Sequence, residues 1–409
     1  MKIPPRRRAL LIAALGALLL GVAVPARASA PPVDAPNATA GNYGWFEAGL
    51  PWSGPFSDPT IVRAGNTYYA YSSGAGGRYL GVLASTDLTH WTIHPRWTTA
   101  PAPWLGGPDP SSDPQLPVEI RNSAQIPGDK WNDNDALVRP ALWAKVVAFN
   151  AWYRRDYWAV GVTQINSTWY AYAPVKVSDT LADGTRDPEG FGRYCLTVAT
   201  APSPLGPFRD TSSHPYYCDP DPAGSIDPEP YTDPTTGRKY LTWKATGRRS
   251  RPGVVGYPVT LKAVQLDGYG RMIGPVARLL TTNEGSWEGY SIENPSMIRW
   301  NGRWYLFYSG NSFQADRAGH SPYATGYAIC TGPLGPCRRP ATTPLMASTP
   351  TESGEGGASA FVDGSGALRL AYASYWPGEY RTGTSIPQPR RLHIATLAAR
   401  ADGTLVRTR

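Results

Sequence analysis

The sequence has few charged residues and few histidines, methionines and cysteines. Of its 409 residues only 17% are Asp, Glu, Lys or Arg, whereas 41% are hydrophobic and 11% are aromatic. A disordered chain would need high charge and few aromatics, and a coiled coil would need abundant Ala, Glu, Lys and Leu. The 43 Gly and 42 Pro show no period, which excludes collagen. The composition therefore indicates a folded chain with a sizeable core, in one large domain or two ordinary ones.

Long apolar runs are also lacking, except for one at the amino terminus. Lys2 and Arg6–Arg8 precede an apolar stretch from Ala9 to Val24, which is too short and too early for a membrane span and is typical of a secretion signal. Ala26-Arg27-Ala28 fits the small-x-small cleavage rule, so we expect residues 1–28 to be removed and the mature chain to be secreted. A retained membrane anchor is the alternative, and the sequence does not distinguish general from twin-arginine export.

The positive charge of the chain lies largely in this signal. The sequence has 39 Lys and Arg against 31 Asp and Glu, but five of the basic residues and none of the acids lie in residues 1–28. The mature chain therefore carries 34 basic and 31 acidic residues. Only short basic groups such as Arg248-Arg249-Ser250-Arg251 remain, so we expect neither nucleic acid nor, after signal removal, a membrane as partner.

Four cysteines remain in the exported chain, and an even count in an oxidising compartment indicates two disulfides. Three pairings are possible. We favour Cys195–Cys218 and Cys330–Cys337 because each closes a local loop. A zinc site is the alternative, but the spacing lacks CxxC pairs and the chain has only five His.

The rest of the sequence repeats a strand-rich unit five times. Each unit opens with a polar or acidic residue near a Pro, followed by a short apolar strand, a turn and an aromatic strand such as Trp304-Tyr305-Leu306-Phe307-Tyr308. Units begin near residues 58, 158, 227, 293 and 358, and no amphipathic helix is evident. Four strands per unit at such a period are typical of propeller blades. The pattern predicts an all-β fold, a five-bladed β-propeller with four antiparallel strands per blade.

The interval between the first two units is longer than the others. We interpret residues 29–54 as a leader, residues 55–409 as the propeller, and residues 98–156 as an insertion or long loop between two blades. Such long connections are often functional. The acidic run Trp131-Asn132-Asp133-Asn134-Asp135 in this segment lacks the spacing of a calcium loop, so we do not expect it to bind a cation.

Three acids occupy matching places in different units. Asp58, Asp227 and Glu293 each lie at the start of a predicted inner strand, two of them directly before a Pro. Inner strands surround the axis of a propeller, so these side chains should meet at one mouth of the channel. Ionising three neighbouring carboxylates is costly, so at least one pKa should rise. A protonated acid beside an ionised carboxylate is the arrangement that glycoside hydrolysis needs.

Other acids compete for these roles. Asp-Pro commonly opens a turn, and Asp233-Pro234 is interpreted as such a turn without chemistry. Glu288 lies five residues before Glu293, in the preceding loop, and is a rival for the acid. Glu229 is a weaker rival, which we expect to point away from Asp227 or to lie below it.

With these residues the chain resembles glycoside hydrolase family 43, a family of five-bladed propellers. The resemblance covers residues 55–400 and rests on Ser57-Asp58-Pro59-Thr60, Tyr157-Trp158-Ala159, Gly224-Ser225-Ile226-Asp227-Pro228 and Ser291-Ile292-Glu293-Asn294-Pro295. It implies an inverting mechanism in which Asp58 is the general base, Glu293 is the general acid, and Asp227 tunes the pKa of the acid and holds it in place. Inversion needs about 6.5–9.5 Å between base and acid, to admit a water.

Two positions depart from the family pattern. Val160 stands where the second-blade motif usually has Pro, and there we expect a local change in backbone but no loss of activity. The fifth blade has Gly356-Gly357-Ala358-Ser359, without the His that some members carry near a bound calcium. We therefore expect no cofactor; a calcium held by waters and backbone oxygens is the alternative. Trp158 is predicted to stack on a sugar ring or to pack in the blade core.

From the signal we expect a secreted protein, and we expect it to be a monomer. The resemblance implies a hydrolase that acts on oligo- or polysaccharides, at α-L-arabinofuranosyl or β-D-xylosyl linkages of plant cell walls. One alternative is an invertase-type fructan hydrolase, but such enzymes place their nucleophile in Asn-Asp-Pro-Asn, and this chain has Ser57-Asp58-Pro59-Thr60. The other alternative is a non-catalytic sugar-binding propeller, which has no need of three clustered acids.

Overall fold

The computed structural model of the chain describes residues 56–73, 79–93, 136–145, 147–149, 152–187, 190–247, 256–316, 319–375 and 390–408. The predicted signal (1–28), the leader (29–54), the first part of the expected insertion (98–135) and the basic group at 248–251 lie outside these residues. The described residues form strands, turns and loops, and none of them belongs to a helix long and apolar enough to cross a membrane.

The first two blades come from the amino-terminal half of the described chain. Blade 1 contains β1 (Thr60–Ala64), β2 (Thr67–Ser73), β3 (Leu80–Ser85) and β4 (Thr92–Ile93). Before blade 2 come β5 (Leu137–Arg139), β6 (Val147–Phe149) and β7 (Trp152–Arg154). Blade 2 contains β8 (Gly161–Ile165), β9 (Thr168–Ser178), β10 (Arg193–Ala201) and β11 (Phe208–Arg209).

The remaining three blades follow at regular spacing. Blade 3 contains β12 (Ser225–Thr232), β13 (Lys239–Ala245), β14 (Thr260–Leu266) and β15 (Met272–Thr281). Blade 4 contains β16 (Ile292–Trp300), β17 (Arg303–Gly310), β18 (Ala324–Cys330) and β19 (Cys337–Arg338). Blade 5 contains β20 (Ser353–Val362), β21 (Leu368–Tyr375), β22 (Arg391–Ala399) and β23 (Leu405–Arg407).

The five blades close into a ring around one axis. Successive strands within each blade pair antiparallel. The first strands of the blades (β1, β8, β12, β16 and β20) contact one another in cyclic order, and β20 returns to β1. The prediction of a five-bladed all-β propeller is confirmed. Each blade is built from one continuous stretch of chain, so the ring closes through contacts between blades 5 and 1 and not through a shared strand.

The strands form because their aromatic and aliphatic residues fit sheets that are covered on both faces. Seven of the eight residues of β17 are buried, as are six of the seven in β13. Neighbouring blades pack face to face, so both faces of a middle strand lose water, which favours the aromatic runs seen in the sequence.

One Tyr hydroxyl connects each pair of neighbouring blades through a backbone group. A buried hydroxyl needs a hydrogen-bond partner, and the turns of the next blade provide it. The five bonds are Tyr71 to the Pro204 carbonyl (2.6 Å), Tyr172 to that of Gly270 (2.9 Å), Tyr231 to that of Pro333, Tyr305 to that of Gly403 (3.0 Å), and the Gly364 amide to Tyr68 (2.7 Å).

Both predicted disulfides are confirmed. Cys195 is bonded to Cys218, and Cys330 to Cys337 at the paired ends of β18 and β19. Part of the segment interpreted as an insertion belongs to the sheet system. β5 pairs parallel with β11 at the outer edge of blade 2, and β6 pairs with β7.

Candidate active site

The five inner strands share one backbone feature at the same end of the axis. Each blade has a residue with positive φ there: Asp58 (49°), Ala159 (36°), Asp227 (55°), Asn294 (50°) and Gly357 (64°). Only the last is a Gly, and this backbone region costs other residues on the order of 1 kcal/mol each. All five line one axial cavity of about 20 Å³, which has room for about one water molecule. The same positive-φ conformation occurs in all five blades around one cavity, which indicates that this mouth of the axial channel has a function.

The shared turn also establishes which residues are equivalent between blades. The register of β12 with β13, and of β16 with β17, shifts at this turn, and such bulges re-aim side chains. Asn294 occupies the place that Asp58 and Asp227 have in their own blades. Glu293 lies one residue earlier, so its longer side chain approaches the same mouth from the next position.

Asp58 is held by two side chains from other strands. Its Oδ2 accepts a hydrogen bond from Ser73 Oγ at 2.8 Å, and its Oδ1 accepts one from Arg390 Nη2 at 2.8 Å. Ser73 Oγ in turn accepts the backbone N–H of Ala159 in blade 2 at 2.7 Å. The Asp58 side chain is 15% exposed. It is therefore an oriented, partly accessible carboxylate with a buried cation beside it.

Asp227 and Glu293 form a second, coupled group. Asp227 is buried, and its Oδ2 accepts the backbone N–H of Asn294 at 3.0 Å. Burial and the neighbouring Glu293 carboxylate raise the pKa of Asp227 to about 7. The sequence predicted that at least one of the clustered acids would have a raised pKa, and that acid is Asp227.

Glu293 has the opposite shift because of its partners. Its Oε2 lies 2.8 Å from Lys244 Nζ, and its Oε1 accepts the Tyr323 hydroxyl at 2.6 Å. Burial alone would raise the pKa of Glu293, but Lys244 and Tyr323 together lower it. Near neutral pH the proton of this pair therefore rests on Asp227 when no substrate is bound.

Glu229 lies below the mouth, and its side chain reaches across the axis. Its carboxylate accepts Thr60 Oγ1 of blade 1 at 2.9 Å and Ser359 Oγ of blade 5 at 2.7 Å. Burial raises the pKa of Glu229 to about 7, although both hydroxyls oppose the rise. Glu229 thus joins three blades beneath Asp58 and Asp227.

Residues along the axis do not fit a bound calcium ion. Calcium takes about six to eight oxygen ligands, whereas both Glu229 carboxylate oxygens already accept hydroxyls from Thr60 and Ser359, and Gly357 has no side chain to contribute. In the part of the chain that the structure describes, no three His, Cys, Asp or Glu side chains are grouped to hold a metal.

The remaining rival acids have structural partners. Glu288 is fully buried, pairs with Arg339 (2.5 and 2.7 Å), and accepts the Tyr308 hydroxyl at 2.7 Å. Asp233 accepts the backbone N–H of Thr235 at 3.0 Å in the turn between β12 and β13.

Trp158 is half-buried beside the mouth. Its ring packs on that of Tyr194, with centroids 4.8 Å apart, and the next residue, Ala159, lines the axial cavity. Both roles considered from the sequence, sugar stacking and blade packing, are compatible with this position.

Sequence reasoning missed the residues that control the acids. Lys244 carried one available signal, because it is a charged residue between Trp243 and Ala245 in a strand that is almost entirely buried. Ser73 and Tyr323 reach their partners within their own blades, where strand pairing brings them together, whereas Arg390 reaches Asp58 only because the ring closes. The completed site places an oriented carboxylate at the same mouth as a pair that holds one proton, which suits general acid–base hydrolysis.

A protein-family model matches most of the described propeller. The model described as "Glycosyl hydrolases family 43" matches residues 129–405, about two thirds of the chain. The matched range includes Asp227 and Glu293. Asp58 lies before it, so its place in the site rests on the geometry of blade 1. A comparison with curated proteins gives no match.

The fold is similar to solved structures that share little sequence with the chain. A thermostable family-43 glycoside hydrolase is 20% identical with a TM-score of 0.58, over 87% of this chain and 93% of that one. An endo-1,4-beta-xylanase from Bacteroides thetaiotaomicron is 21% identical (TM-score 0.56; 87% and 94%). An exo-1,5-alpha-L-arabinanase from a bovine ruminal metagenomic library is 18% identical (TM-score 0.51; 87% and 97%). At these identities the likeness shows the fold alone.

Proposed function

The chain belongs to family 43 of the glycosyl hydrolases, and we propose that it cleaves α-L-arabinofuranosyl or β-D-xylosyl linkages in plant cell-wall polysaccharides with inversion of configuration. One observation carries the proposal. Asp58, ion-paired with Arg390, lines the same axial mouth as Asp227, whose raised pKa lets the Asp227–Glu293 pair hold a proton near neutrality.

Asp58 acts as the general base in this mechanism. Its carboxylate takes a proton from a water whose oxygen bonds to the anomeric carbon while the glycosidic C–O bond breaks. Ser73 and Arg390 orient the carboxylate, so little reorganisation is needed when the water arrives. The sugar leaves with its anomeric configuration inverted because the water attacks from the face opposite the leaving oxygen.

Glu293 delivers the proton to the leaving oxygen. In the free enzyme that proton rests on Asp227, and Lys244 keeps Glu293 ionised. The proton passes to Glu293 when the glycosidic oxygen lies against it. After turnover Asp58 is protonated, whereas Asp227 and Glu293 are both ionised. Asp58 then loses its proton to solvent, and Asp227 takes one up, which restores the free enzyme. Asp227 therefore serves as the proton store of the pair.

The family and the similar structures support the choice of sugars. The solved structures of similar fold include an enzyme named as a xylanase and one named as an arabinanase. Both names refer to plant cell-wall glycans, whose arabinofuranosyl and xylosyl units are the candidates for this site. Trp158, half-buried beside the mouth, is proposed as a stacking surface for one sugar ring.

We also propose that the protein is secreted and is a monomer. The amino-terminal charge and apolar run support export with cleavage after Ala28. Amino-terminal sequencing of the exported protein should begin at Ser29, and light scattering should give the mass of one chain. A protein that keeps residues 1–28 and stays with the membrane would contradict secretion.

The test is sugar release by residues 29–409 from arabinan, arabinoxylan, xylotriose, sucrose and the nitrophenyl glycosides of α-L-arabinofuranose and β-D-xylopyranose. We expect arabinose or xylose from the wild type and a loss of about 10²-fold or more on the polysaccharides in Glu293→Ala. The nitrophenyl glycosides should suffer less, because their leaving group needs little protonation. Asp233→Ala, which alters an Asp-Pro turn outside the cavity, is the matched control and should keep the wild-type rate.

Other outcomes would contradict the proposal in distinct ways. Fructose released from sucrose would indicate an invertase-type enzyme. Sugar binding without release from any substrate would indicate a non-catalytic propeller. A product of retained configuration, followed by proton NMR during hydrolysis, would remove Asp58 from the role of general base.

A further inference from the structure

An exposed aromatic ring lies beside Arg390, on the loop that joins β17 to β18. This ring belongs to Phe313, which is 42% exposed. The same loop ends at Tyr323, whose hydroxyl contacts Glu293. The loop therefore carries an apolar side chain in the region where the proposed acid is anchored.

Hydrogen bonds to its backbone carbonyl hold Phe313 in place. Its carbonyl accepts the Tyr375 hydroxyl at 3.1 Å and Ser321 Oγ at 3.2 Å. The ring also packs against Arg390, whose guanidinium carbon lies 5.4 Å from the ring centroid. Arg390 also donates a hydrogen bond to Asp58. The side chain of Arg390 therefore connects the exposed ring to the proposed base.

The neighbouring Arg390 has a buried hydrogen-bond donor that the described residues do not use. Its side chain is only 8% exposed and lies between two rings, with its guanidinium carbon also 5.7 Å from the centroid of Tyr323. Its Nη2 is used by Asp58, whereas its buried Nη1 has no hydrogen-bond partner among the described residues. Buried donors are ordinarily satisfied, so a ligand oxygen is the expected partner.

An apolar ring beside an unused donor matches the chemistry of a sugar. A glycosyl unit has a face of C–H groups bordered by hydroxyls, so one face can pack on an aromatic ring while a hydroxyl accepts a hydrogen bond from a cation. Tyr269, which is 73% exposed, is in a different setting: it lies in the turn between β14 and β15 and contacts Arg271.

We propose that Phe313 is a substrate-binding residue that supports the sugar whose glycosidic bond is cleaved, while Arg390 Nη1 donates to a hydroxyl of that sugar. The proposal rests on the proposed function. The placement on this sugar, and not on the leaving group, follows from the contact of Phe313 with Arg390, which holds the base, because the base approaches the sugar that keeps the anomeric carbon.

The test compares Phe313→Ala, Phe313→Tyr and Tyr269→Ala in the mature protein. KM and kcat are measured on the better of the two nitrophenyl glycosides and on xylotriose or arabinotriose. We expect Phe313→Ala to raise KM roughly 3- to 10-fold on both kinds of substrate with a smaller change in kcat. Phe313→Tyr should keep near-wild-type KM because the ring remains, and Tyr269→Ala should match the wild type.

Two results would overturn this inference while leaving the proposed function intact. In one, Phe313→Ala has the KM of Tyr269→Ala on both substrates. In the other, KM rises on the oligosaccharide alone, which would move Phe313 to the leaving-group side. Failure of the proposed function is recognised separately, since the wild type would then release no sugar. Calorimetric titration of xylotriose and arabinotriose into Glu293→Gln and into Glu293→Gln/Phe313→Ala decides that case: weaker binding to the double variant supports the subsite, and equal or absent binding overturns it.

Discussion

Lys244 Nζ lies 2.8 Å from Glu293 Oε2, and both side chains are largely buried. Burial alone would lower the pKa of Lys244, but the Glu293 and Asp227 carboxylates raise it above its ordinary value. The charged Lys244 lowers the pKa of Glu293 and partly opposes the rise in the pKa of Asp227. Lys244 therefore determines the pH range in which the pair holds its proton.

Replacing Lys244 with Met should move the alkaline limb of the pH–rate profile. Without the cation the pair keeps its proton to higher pH, so the upper pKa of kcat/KM should rise by roughly 1 unit or more. The measurement is kcat/KM between pH 4 and 10. Lys262→Met is the control, because Lys262 pairs with Asp219 and Asp221. An upper limb unchanged in Lys244→Met would show that the pair's proton is not governed by this cation.

Removing the Asp58 carboxylate should create a variant that azide restores. Asp58→Ala should lower kcat by about 10²-fold or more, since no base remains to activate water. Azide is an anion that needs no deprotonation, and the Arg390 guanidinium remains to attract it. We expect it to form a glycosyl azide of inverted configuration, detected by NMR. Glu293→Ala, which keeps the base, should not gain an inverted azide product on xylotriose; equal rescue of both variants would contradict the assigned roles.

Glu229 should make the folded state less stable as pH rises. The pKa of Glu229 is raised by burial from 4.5 to about 7, so the folded state holds this proton more tightly than the unfolded state. Stability must then fall between about pH 4.5 and 7 and level off above. Glu229→Gln removes this contribution, worth about 3 kcal/mol, while its amide still reaches Thr60 and Ser359.

Urea unfolding at pH 5 and at pH 7.5 measures this effect. The loss of unfolding free energy between the two pH values should be smaller in Glu229→Gln than in the wild type. Asp227, whose pKa is also raised, contributes equally to both proteins and cancels in the comparison. Activity should persist in the variant because Glu229 lies below the mouth. An identical pH dependence in both proteins would show that Glu229 does not titrate in this range.

A methyl group at Gly161 should disturb both stability and the Asp227 turn. A Cβ on Gly161 would lie 2.1 Å from the Pro228 carbonyl oxygen and 2.4 Å from Pro230 Cδ, neither of which can rotate away. Gly161→Ala should therefore cost about 3 kcal/mol in unfolding free energy and lower kcat by displacing Asp227. Gly268→Ala is the control, since nothing lies within 4 Å of its added Cβ. Equal melting temperatures for the two variants would contradict this close approach of blades 2 and 3.

The sequence was informative wherever the signal is local and repeated. Five units of alternating aromatic strands predict five blades, because the period of strands and turns follows from side-chain burial along the chain. Both disulfides were predictable because each closes a short local loop. The acids Asp58 and Asp227 were recognisable since each precedes a Pro at the start of a unit, and Asp233, which also precedes a Pro, lies in the turn that the sequence indicated.

The register of the fourth blade could not be predicted in the same way. The sequence comparison treated Glu293 as the equivalent of Asp58 and Asp227 in its blade. The backbone shows that Asn294, which has the same positive φ, is their equivalent. A one-residue shift of this kind depends on where the bulge falls in the pairing of β16 with β17, and sequence alone does not give this.

By itself, the sequence determined the number of blades, the disulfide pairs and the positions of Asp58 and Asp227 at the starts of their blades, because each follows from neighbours along the chain. The tertiary structure alone decided which acid holds the proton. Lys244 in blade 3 reaches Glu293 in blade 4, and Arg390 in blade 5 reaches Asp58 at the opening of blade 1, 332 residues earlier. Charge interactions fall off with distance through space and not along the chain, so the packing of blade 3 against blade 4 is what lowers the pKa of Glu293 and leaves the proton on Asp227.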